Sequence, residues 1–516
     1  MTWMRWIWWV GWLLVGAWGI GCSGGQRWRN TEPVVTKDPS YQRSGASKHS
    51  LDNGIGVLVS AVQHPSTTRV ALVFAHGYLD DHGYAGRAQL FAECLELEAL
   101  TKSAAPFDDL GARVRTTVMT TATVVEVDVL SADAKAAVTA LAGLVRGPAD
   151  EVAFESARRT MLSRLRQARR TPQTLANLAA LQSAVRGDAP ELGGRGFGSV
   201  ESLERVRFDD ILATRAEWAA SVPMSLAVVG PHEPEEVTTW ARDIFSRWTR
   251  RAPPRVNETG FARRPKIITV VPVENLDPAV VLVGTTVPRS SAAARDAYLL
   301  GRSFAHFRLR EGLQRTYGVR GKIMDLGVTG FAFATARVPA EDAYGSALTI
   351  AAAFGRLSRV VPQDAVDNLH RASVARWMAA RLETEPRAQA LYRVIAFGDE
   401  LHSEPPFGPL PTPSSLDEVK RSLADDFSYA GMQIVIAGDL ELLSHQLRGT
   451  TFQVRTDLDL LGPEVLPEDS LSAATSSDAR SDPRRGGPDE RAGVRSDTVP
   501  RATPPPTPQR GPKSRG

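Results

Sequence analysis

The sequence is poor in cysteine and has almost no excess of either charge, and both deficits exclude classes of protein. Two cysteines among 516 residues cannot form a disulfide framework or a cysteine-rich structural zinc site. With 61 basic and 58 acidic side chains, the formal net charge of +3 argues against a generic polyanion binder. Hydrophobic residues make up 43% and charged residues 23%, as in globular proteins rather than disordered or multi-span membrane proteins. The length predicts two or three domains of roughly 100–200 residues each.

The first segment also lacks the run of about 20 apolar residues that a membrane-spanning helix needs. It reads MTWMRWIWWVGWLLVGAWGIGCSGG, with Arg5 before an uncharged apolar stretch and small residues up to Cys22, as in a secretory signal. The stretch Gly19-Ile20-Gly21-Cys22 resembles the lipobox of bacterial lipoproteins, in which the cysteine becomes the lipidated N-terminus. The resemblance implies lipidation at Cys22 and a place in the bacterial cell envelope, anchored to a membrane and facing the periplasm. Plain secretion and an uncleaved anchor remain the alternatives.

Composition changes near both ends of the chain. Residues 23–47 are polar and contain Gly and Ser, as a flexible tether does. The stretch from Pro463 to Gly516 holds ten of the 34 prolines and no aromatic residue, so it cannot bury enough surface to fold. The predicted organisation is a lipoprotein-type signal peptide at 1–22, the tether at 23–47, an N-terminal domain at 48–250, a linker at 251–265, a C-terminal domain at 266–455 and a disordered tail at 456–516.

The body between these ends repeats itself. An alternating strand followed by an amphipathic helix occurs in TTATVVEVDVLSADAKAAVTALAGLV and again in GFAFATARVPAEDAYGSALTIAAAFGRL. Each copy continues into a basic helix that stops before Pro172 or Pro386. Each then ends on a β-rich run closed by glycine, at 224–230 and 432–438. We therefore predict an α+β protein of two repeated domains, each a mainly antiparallel sheet flanked by helices.

Several segments resemble the pitrilysin/insulinase family of zinc metallopeptidases. They are LDNGIGVLVS at Leu51–Ser60, the helix entry at 86–88, FGSVESLERVRFDDI, SLAVVG, and FRLREGLQRTYGV at Phe307–Val319. Together they are spread over roughly residues 48–450, in the order and spacing of the family. The resemblance implies that both domains are peptidase-like and form a clam-shell around a chamber.

The family carries an H-x-x-E-H motif on a helix, and this chain does not. In that motif two histidines one turn apart share a zinc ion and the glutamate handles the proton of the attacking water. The resemblance places the motif on GRAQLFAE, with Gln89 and Glu93 at the histidine positions and Ala92 at the general-base position. The third zinc ligand of the family falls near Arg164, a fixed cation.

No intact catalytic residue, bound metal or cofactor is therefore expected in this chain. Glu93 and Arg164 are instead predicted to form an ion pair between two helices, with Gln89 completing the hydrogen bonds. Removing one partner of such a pair would cost about 3–5 kcal/mol if the pair were fully buried.

The second half keeps Arg310 and Tyr317, seven residues apart in LREGLQRTY. The resemblance implies that this pair binds the substrate backbone, because a guanidinium and a phenol donate hydrogen bonds to a developing oxyanion. A purely structural role, in which both complete a helix and its turn, remains the alternative. In some bacterial relatives one subunit carries the zinc and its partner supplies the Arg/Tyr pair.

Another metal site is conceivable in FAHGYLDDHGY, where His76, Asp80, Asp81 and His82 lie close together in sequence. Such residues also collect in polar loops for turn geometry, which we regard as the stronger interpretation. His306 beside the Arg310 segment is read as a structural histidine at an interface.

The sequence thus predicts a non-catalytic, pitrilysin-like lipoprotein subunit. Its expected partners are a zinc-bearing homologue in a heterodimer, a peptide or protein substrate, and a membrane through the lipid anchor. The near-neutral charge and the export signal argue against nucleic acid. Two hypotheses remain beside it: a peptide-binding or scaffold lipoprotein without a role in proteolysis, and a self-sufficient peptidase with an unorthodox site.

Overall fold

The computed structural model describes the folded body of the chain and not its two ends. The described residues are 45–62, 66–81, 84–184, 198–248, 267–326, 329–403 and 406–456. The predicted lipidation site Cys22, residues 23–44 of the predicted tether, the linker and the tail after residue 456 lie outside them. Residues 46 and 47, which were predicted as tether, belong to the first strand, Ala46–Ser50. No helix in the described part is both long enough and apolar enough to cross a membrane.

The first half of the body is built on a six-stranded mixed sheet. Four of its five strand pairs are antiparallel, and only β2 and β6 run parallel. Its strands, in the spatial order β1-β2-β6-β3-β5-β4, are β1 Ala46–Ser50, β2 Gly56–Ala61, β3 Thr67–Phe74, β4 Arg115–Val118, β5 Thr123–Leu130 and β6 Met224–Gly230. The central strand β3 places Val70 opposite Val127 on one side and Val228 on the other. All three valines are buried, because helices cover the sheet.

The described part of the first half contains eight α-helices. They are α1 Arg87–Glu98, α2 Ala104–Asp109, α3 Ala134–Arg146, α4 Glu151–Arg169, α5 Pro172–Ala184, α6 Val200–Arg205, α7 Phe208–Ala220 and α8 Pro234–Phe245. The long helix α4 starts where the Asp150 side chain accepts a hydrogen bond from the Val152 N–H. It ends at Arg169, and Pro172 takes the first position of the next helix, where its missing N–H is no loss.

The second half repeats this plan. Its mixed sheet has the spatial order β12-β7-β11-β8-β10-β9. The strands are β7 Ile267–Pro272, β8 Ala279–Pro288, β9 Arg320–Leu326, β10 Thr329–Val338, β11 Gln433–Gly438 and β12 Gln453–Arg455. The helices are α9 Ala292–His306, a π-helical turn at Phe307–Gly312, α10 Ala343–Val360, α11 Gln363–Ala380, α12 Thr384–Phe397, α13 Leu416–Asp425 and α14 Leu440–Gln446. The predicted two-domain α+β fold is confirmed, although parallel pairs at β2–β6, β7–β11 and β7–β12 make both sheets mixed.

Each half contributes one helix to the sheet of the other half. Helix α5 packs on β11, β8 and β7 of the second sheet, and α12 packs on β6 and β3 of the first. In one shared core, Leu391 and Tyr392 of α12 are buried together with Leu58 of β2 and Val73 of β3. This exchange means that neither half buries its sheet by itself.

Candidate functional site

Helix α1, which carries the positions matched to the metal motif, is fixed at its N-terminus. It begins after Gly86, whose left-handed backbone (φ 89°) is accessible mainly to glycine. The buried Asp81 carboxylate accepts the Ala88 N–H at 3.0 and 3.1 Å and lies 3.5 Å from His76 Nε2. Burial raises the pKa of Asp81, and its contacts with His76 and the Ala88 N–H oppose that shift. Asp81 therefore serves the helix N-terminus, where a carboxylate is favoured.

The same contacts argue for the structural interpretation of the His76 loop. Asp80 accepts the Gly77 N–H at 2.8 Å, within a turn. His82 lies outside the described residues. Among the residues that the structure does describe, no three His, Cys, Asp or Glu side chains are grouped so that they could hold a metal ion.

Gln89 and Glu93 lie one turn apart on α1 and face α4. The Gln89 amide donates a hydrogen bond to Glu93 Oε1 at 2.9 Å, and the Arg164 guanidinium of α4 donates to the same oxygen. The predicted ion pair is therefore present and joins the two helices. The Glu93 side chain is 13% exposed and the Arg164 side chain 42%, so the pair is open to solvent on the α4 side. Ala92 is fully buried.

These residues do not fit a zinc ion. The Glu93 oxygen already accepts from two donors, and the guanidinium of Arg164 stands beside it as a permanent cation. The amide oxygen of Gln89 is a poor zinc ligand beside the thiolate, imidazole and carboxylate groups that proteins use. The methyl group of Ala92 cannot accept a proton from water. No zinc-dependent step can be built on this donor set.

A second ion pair on α1 was not predicted from the sequence. Glu98, near the end of α1, receives a hydrogen bond from Arg215 of α7, and both side chains are buried, at 2% and 6% exposure. Arg215 also donates to the Gly147 carbonyl at 2.7 Å, and Glu98 Oε1 accepts the Asp150 N–H at 2.9 Å. Glu98 and Arg215 are 117 residues apart in the sequence, and no local sequence pattern reveals that they pair. Between the two ion pairs lies the buried thiol of Cys94, whose pKa burial raises strongly.

The structure places Arg310 and Tyr317 on one segment but in different surroundings. Arg310 lies in the π-helical turn, is about half exposed and contacts Glu311 at 3.6 Å. Tyr317 is fully exposed and lines a cavity of about 580 Å³, together with the amide side chains of Gln173 and Asn177 from α5. Arg310 is not among the residues that line this cavity.

The Tyr317 loop is held by a histidine. The Nδ1 atom of His306 accepts the Val319 N–H at 3.2 Å, and Thr316 Oγ1 accepts the Gly318 N–H at 3.2 Å. These contacts give His306 a structural role, as predicted, and fix the backbone on both sides of Tyr317. The Tyr317 side chain itself is fully exposed and has no hydrogen-bond partner in the described part of the protein.

A further polar network joins the two halves and was missed in the sequence. The Tyr392 hydroxyl of α12 donates to Glu126 of β5 at 2.6 Å, in a buried position. Beside it, Arg69 and Arg115 both donate to Asp128 of β5. Burial by itself would raise the pKa of Asp128, but the hydrogen bonds from these two arginines lower it. Alternating apolar and acidic residues on β5 predict a half-exposed face. The exchanged helix α12 covers Glu126 on this face, whereas the side chain of Asp128 stays 39% exposed.

Comparison with known proteins agrees with this architecture. Residues 205–371 match the family model of the Peptidase M16 inactive domain. A peptidase M16 inactive domain from Pseudomonas fluorescens shares 19% identity and a TM-score of 0.67, covering 80% of this chain and 100% of that one. The first half of the periplasmic protease PqqL from Escherichia coli gives 11% identity and a TM-score of 0.61, covering 78% of this chain and 94% of that one.

Pitrilysin shares 16% identity with this chain at a TM-score of 0.59, and the match covers 77% of this chain and 45% of the pitrilysin chain. No curated protein matches the sequence. Identities this low establish the fold, and the family model adds a match by sequence over 205–371. The resemblance to the pitrilysin/insulinase family is thereby confirmed by sequence over residues 205–371 and by fold over most of the chain, which lacks the H-x-x-E-H motif.

Proposed function

We propose that this protein is the non-catalytic subunit of a two-subunit peptidase. It pairs with a zinc-bearing homologue, and it contributes Arg310 and Tyr317 to the chamber in which a peptide or protein substrate is cleaved. The observation that carries the proposal is the ion pair between Glu93 and Arg164. The family resemblance assigns the metal site to these positions, and an ion pair there within a pitrilysin-type fold supports a role other than zinc chemistry.

The surroundings of Tyr317 support a role toward a substrate. An exposed phenol on a fixed backbone next to a cavity is a preorganised hydrogen-bond donor. Arg310 is half exposed and, among the described residues, pairs only with its neighbour Glu311, so it can turn toward a bound partner at little cost.

We further propose that the protein is tethered by lipid at Cys22 to a membrane of the cell envelope and faces the periplasm. The N-terminal segment supports this location. A second support is the likeness to a protease that is itself periplasmic.

The test is reconstitution with a zinc-bearing homologue from the same organism. Hydrolysis of a quenched fluorescent peptide is measured for the homologue alone, for this chain alone and for the mixture. We expect at least tenfold more activity in the mixture than in either subunit. Tyr317→Phe should remove most of the gain, whereas Tyr429→Phe, a matched loss of a hydroxyl from a partly exposed tyrosine outside the cavity, should leave it unchanged.

Three outcomes would contradict the proposal. If the homologue gains nothing from this chain, the scaffold hypothesis replaces it. If the chain alone cleaves the peptide and a chelator stops it, the self-sufficient peptidase replaces it. If both tyrosine variants behave alike, Tyr317 has no specific part in the reaction.

A further inference from the structure

The positions matched to the metal motif lie on helices α1 and α4 of the first half, and we call this place the metal locus. The internal repeat identifies which elements of the second half correspond to it. Apart from helices of six residues or fewer, the first half runs β3-α1-β4-β5-α3-α4-α5-α7-β6 and the second runs β8-α9-β9-β10-α10-α11-α12-α13-β11. Helices α9 and α11 therefore correspond to α1 and α4, and strand β9 corresponds to β4. In the first half the ion pair between Glu93 and Arg164 closes the space between the two helices.

In the second half the corresponding space is open. Helices α9, α11 and α12 and strand β9 line a cavity of about 620 Å³. Six cationic side chains line it: Arg289, Arg295, Arg302, Lys322, Arg376 and Arg393. A space of this volume accommodates several residues of a peptide or a drug-sized ligand.

Four of these six cations are not paired with a carboxylate of the described residues, and the lining keeps an excess of positive charge. Of the two lining carboxylates, Asp325 pairs with Arg393 at 3.2 Å, and Asp296 accepts a hydrogen bond from Ser414 at 2.8 Å. Arg289 pairs with Asp399 outside the cavity. The other four cations have no carboxylate partner among the described residues. They are Arg295, Arg302, Lys322 and Arg376.

The lining also has an apolar part and a free strand edge. Tyr298, Leu299, Ile323 and Trp377 contribute apolar surface, and the buried indole N–H of Trp377 has no acceptor in the described part of the protein. Among the described strands, β9 is the edge of its sheet and pairs on one side, with β10. An extended peptide can satisfy a strand edge with its backbone while its side chains reach the lining.

We propose that this cavity binds an acidic segment of a peptide, in which at least two carboxylates alternate with apolar side chains. Arginine forks bind carboxylates through paired, charge-assisted hydrogen bonds, which suits the unpaired cations. The apolar surface favours a peptide over a bare polyphosphate, which would leave it uncovered. The inference rests on the proposed function in one respect, that the chain handles peptides, and it adds the chemical class of the substrate.

The experiment uses the purified chain without any partner and a fluorescein-labelled decapeptide with alternating Glu and Leu. Fluorescence anisotropy is measured against the same peptide with Gln in place of Glu. The acidic peptide should bind at least tenfold more tightly at 0.1 M salt, and its affinity should fall steeply toward 0.5 M salt because Coulomb attraction is screened. Arg295→Glu and Arg376→Glu should each weaken binding at least tenfold.

Arg371→Glu is the matched control. Arg371 is exposed on the same helix α11 and does not line the cavity, so the same change of charge there should leave binding within twofold of the wild type. Equal binding of the Gln peptide, or equal losses in Arg371→Glu and Arg376→Glu, would overturn the proposal. Tight binding of tripolyphosphate without binding of the acidic peptide would overturn it too.

The two proposals can fail separately. This binding needs neither a zinc-bearing homologue nor Arg310 and Tyr317, and Arg295 and Arg376 line this cavity but not the cavity beside Tyr317. If Arg376→Glu loses peptide binding but still activates the homologue, both proposals stand. If the wild-type chain binds the peptide but does not activate the homologue, only the proposed function is contradicted.

Discussion

The two ion pairs on α1 use the same residue types but lie in different environments, and this makes their energies predictable. Glu93 pairs with an arginine that is 42% exposed, whereas Glu98 pairs with one that is 6% exposed. The test replaces each glutamate by glutamine, which removes the charge and keeps the shape. We expect the substitution at Glu98 to destabilise the protein far more than the substitution at Glu93.

The magnitudes follow from what happens to the arginine that is left behind. In Glu98→Gln the Arg215 cation stays buried with neutral oxygens only, and breaking a buried pair in this way costs about 3–5 kcal/mol. In Glu93→Gln the head group of Arg164 regains water, and glutamine still accepts hydrogen bonds, so the cost is about 0–1 kcal/mol, as for exposed pairs. The larger figure that full burial would have implied for Glu93 does not apply.

The assay is urea unfolding followed by circular dichroism. Glu98→Gln should lower the free energy of unfolding several-fold more than Glu93→Gln, and the double variant Glu98→Gln/Arg215→Met should recover part of the loss because the stranded cation is gone. High salt should diminish the effect of Glu93→Gln and leave that of Glu98→Gln nearly intact. Equal losses in the two single variants would refute the argument from burial.

Three further predictions concern the metal locus, acid stability and the membrane. EDTA should leave the melting temperature unchanged, and Gln89→His should bind no zinc by elemental analysis, because Ala92 and Arg164 remain; zinc bound at a 1:1 ratio would contradict this. Because the pKa of Asp128 is lowered in the folded protein, its ion pairs stabilise the fold fully above the ordinary pKa of about 4. This stabilisation is lost as the pH falls through the lower pKa of the folded state. The melting temperature of Asp128→Asn should therefore fall less below about pH 4 than that of the wild type. An unchanged acid profile would contradict that. Cys22→Ser should release the protein from membranes on fractionation, and a variant that stays membrane-bound and uncleaved would indicate a hydrophobic anchor instead.

The parts of the fold that could be predicted are those that repeat or have a local period. The alternation in β5 and β10 and the helical period that follows each strand predicted these two strands and the helices α3 and α10 that come after them. The pair between Glu93 and Arg164 was predictable for another reason: the family resemblance fixes which two helices face each other, and opposite charges at facing positions pair.

The helix contacts that sequence reasoning missed depend on which part of the protein each helix packs against. Helix α5 is buried around most of its circumference, which indicates burial but not the sheet on which it lies. Its exchange with α12 brings Tyr392 to Glu126 across 266 residues, and no local pattern encodes that distance. The same holds for Glu98 and Arg215, because a buried pair has no signature until both helices are placed.

The comparison of the two halves shows what the ion pair at the metal locus is for. Helices α9 and α11 occupy the corresponding positions in the second half, and among the described residues neither an ion pair nor a side-chain hydrogen bond joins them. The repeated fold therefore stands without a polar link between these two helices. It follows that the pair between Glu93 and Arg164 is not required to hold the first half together, which is why Glu93→Gln should cost so little. Its effect is to fill and neutralise one site, while the corresponding site of the second half stays open and positively charged, ready for an acidic ligand.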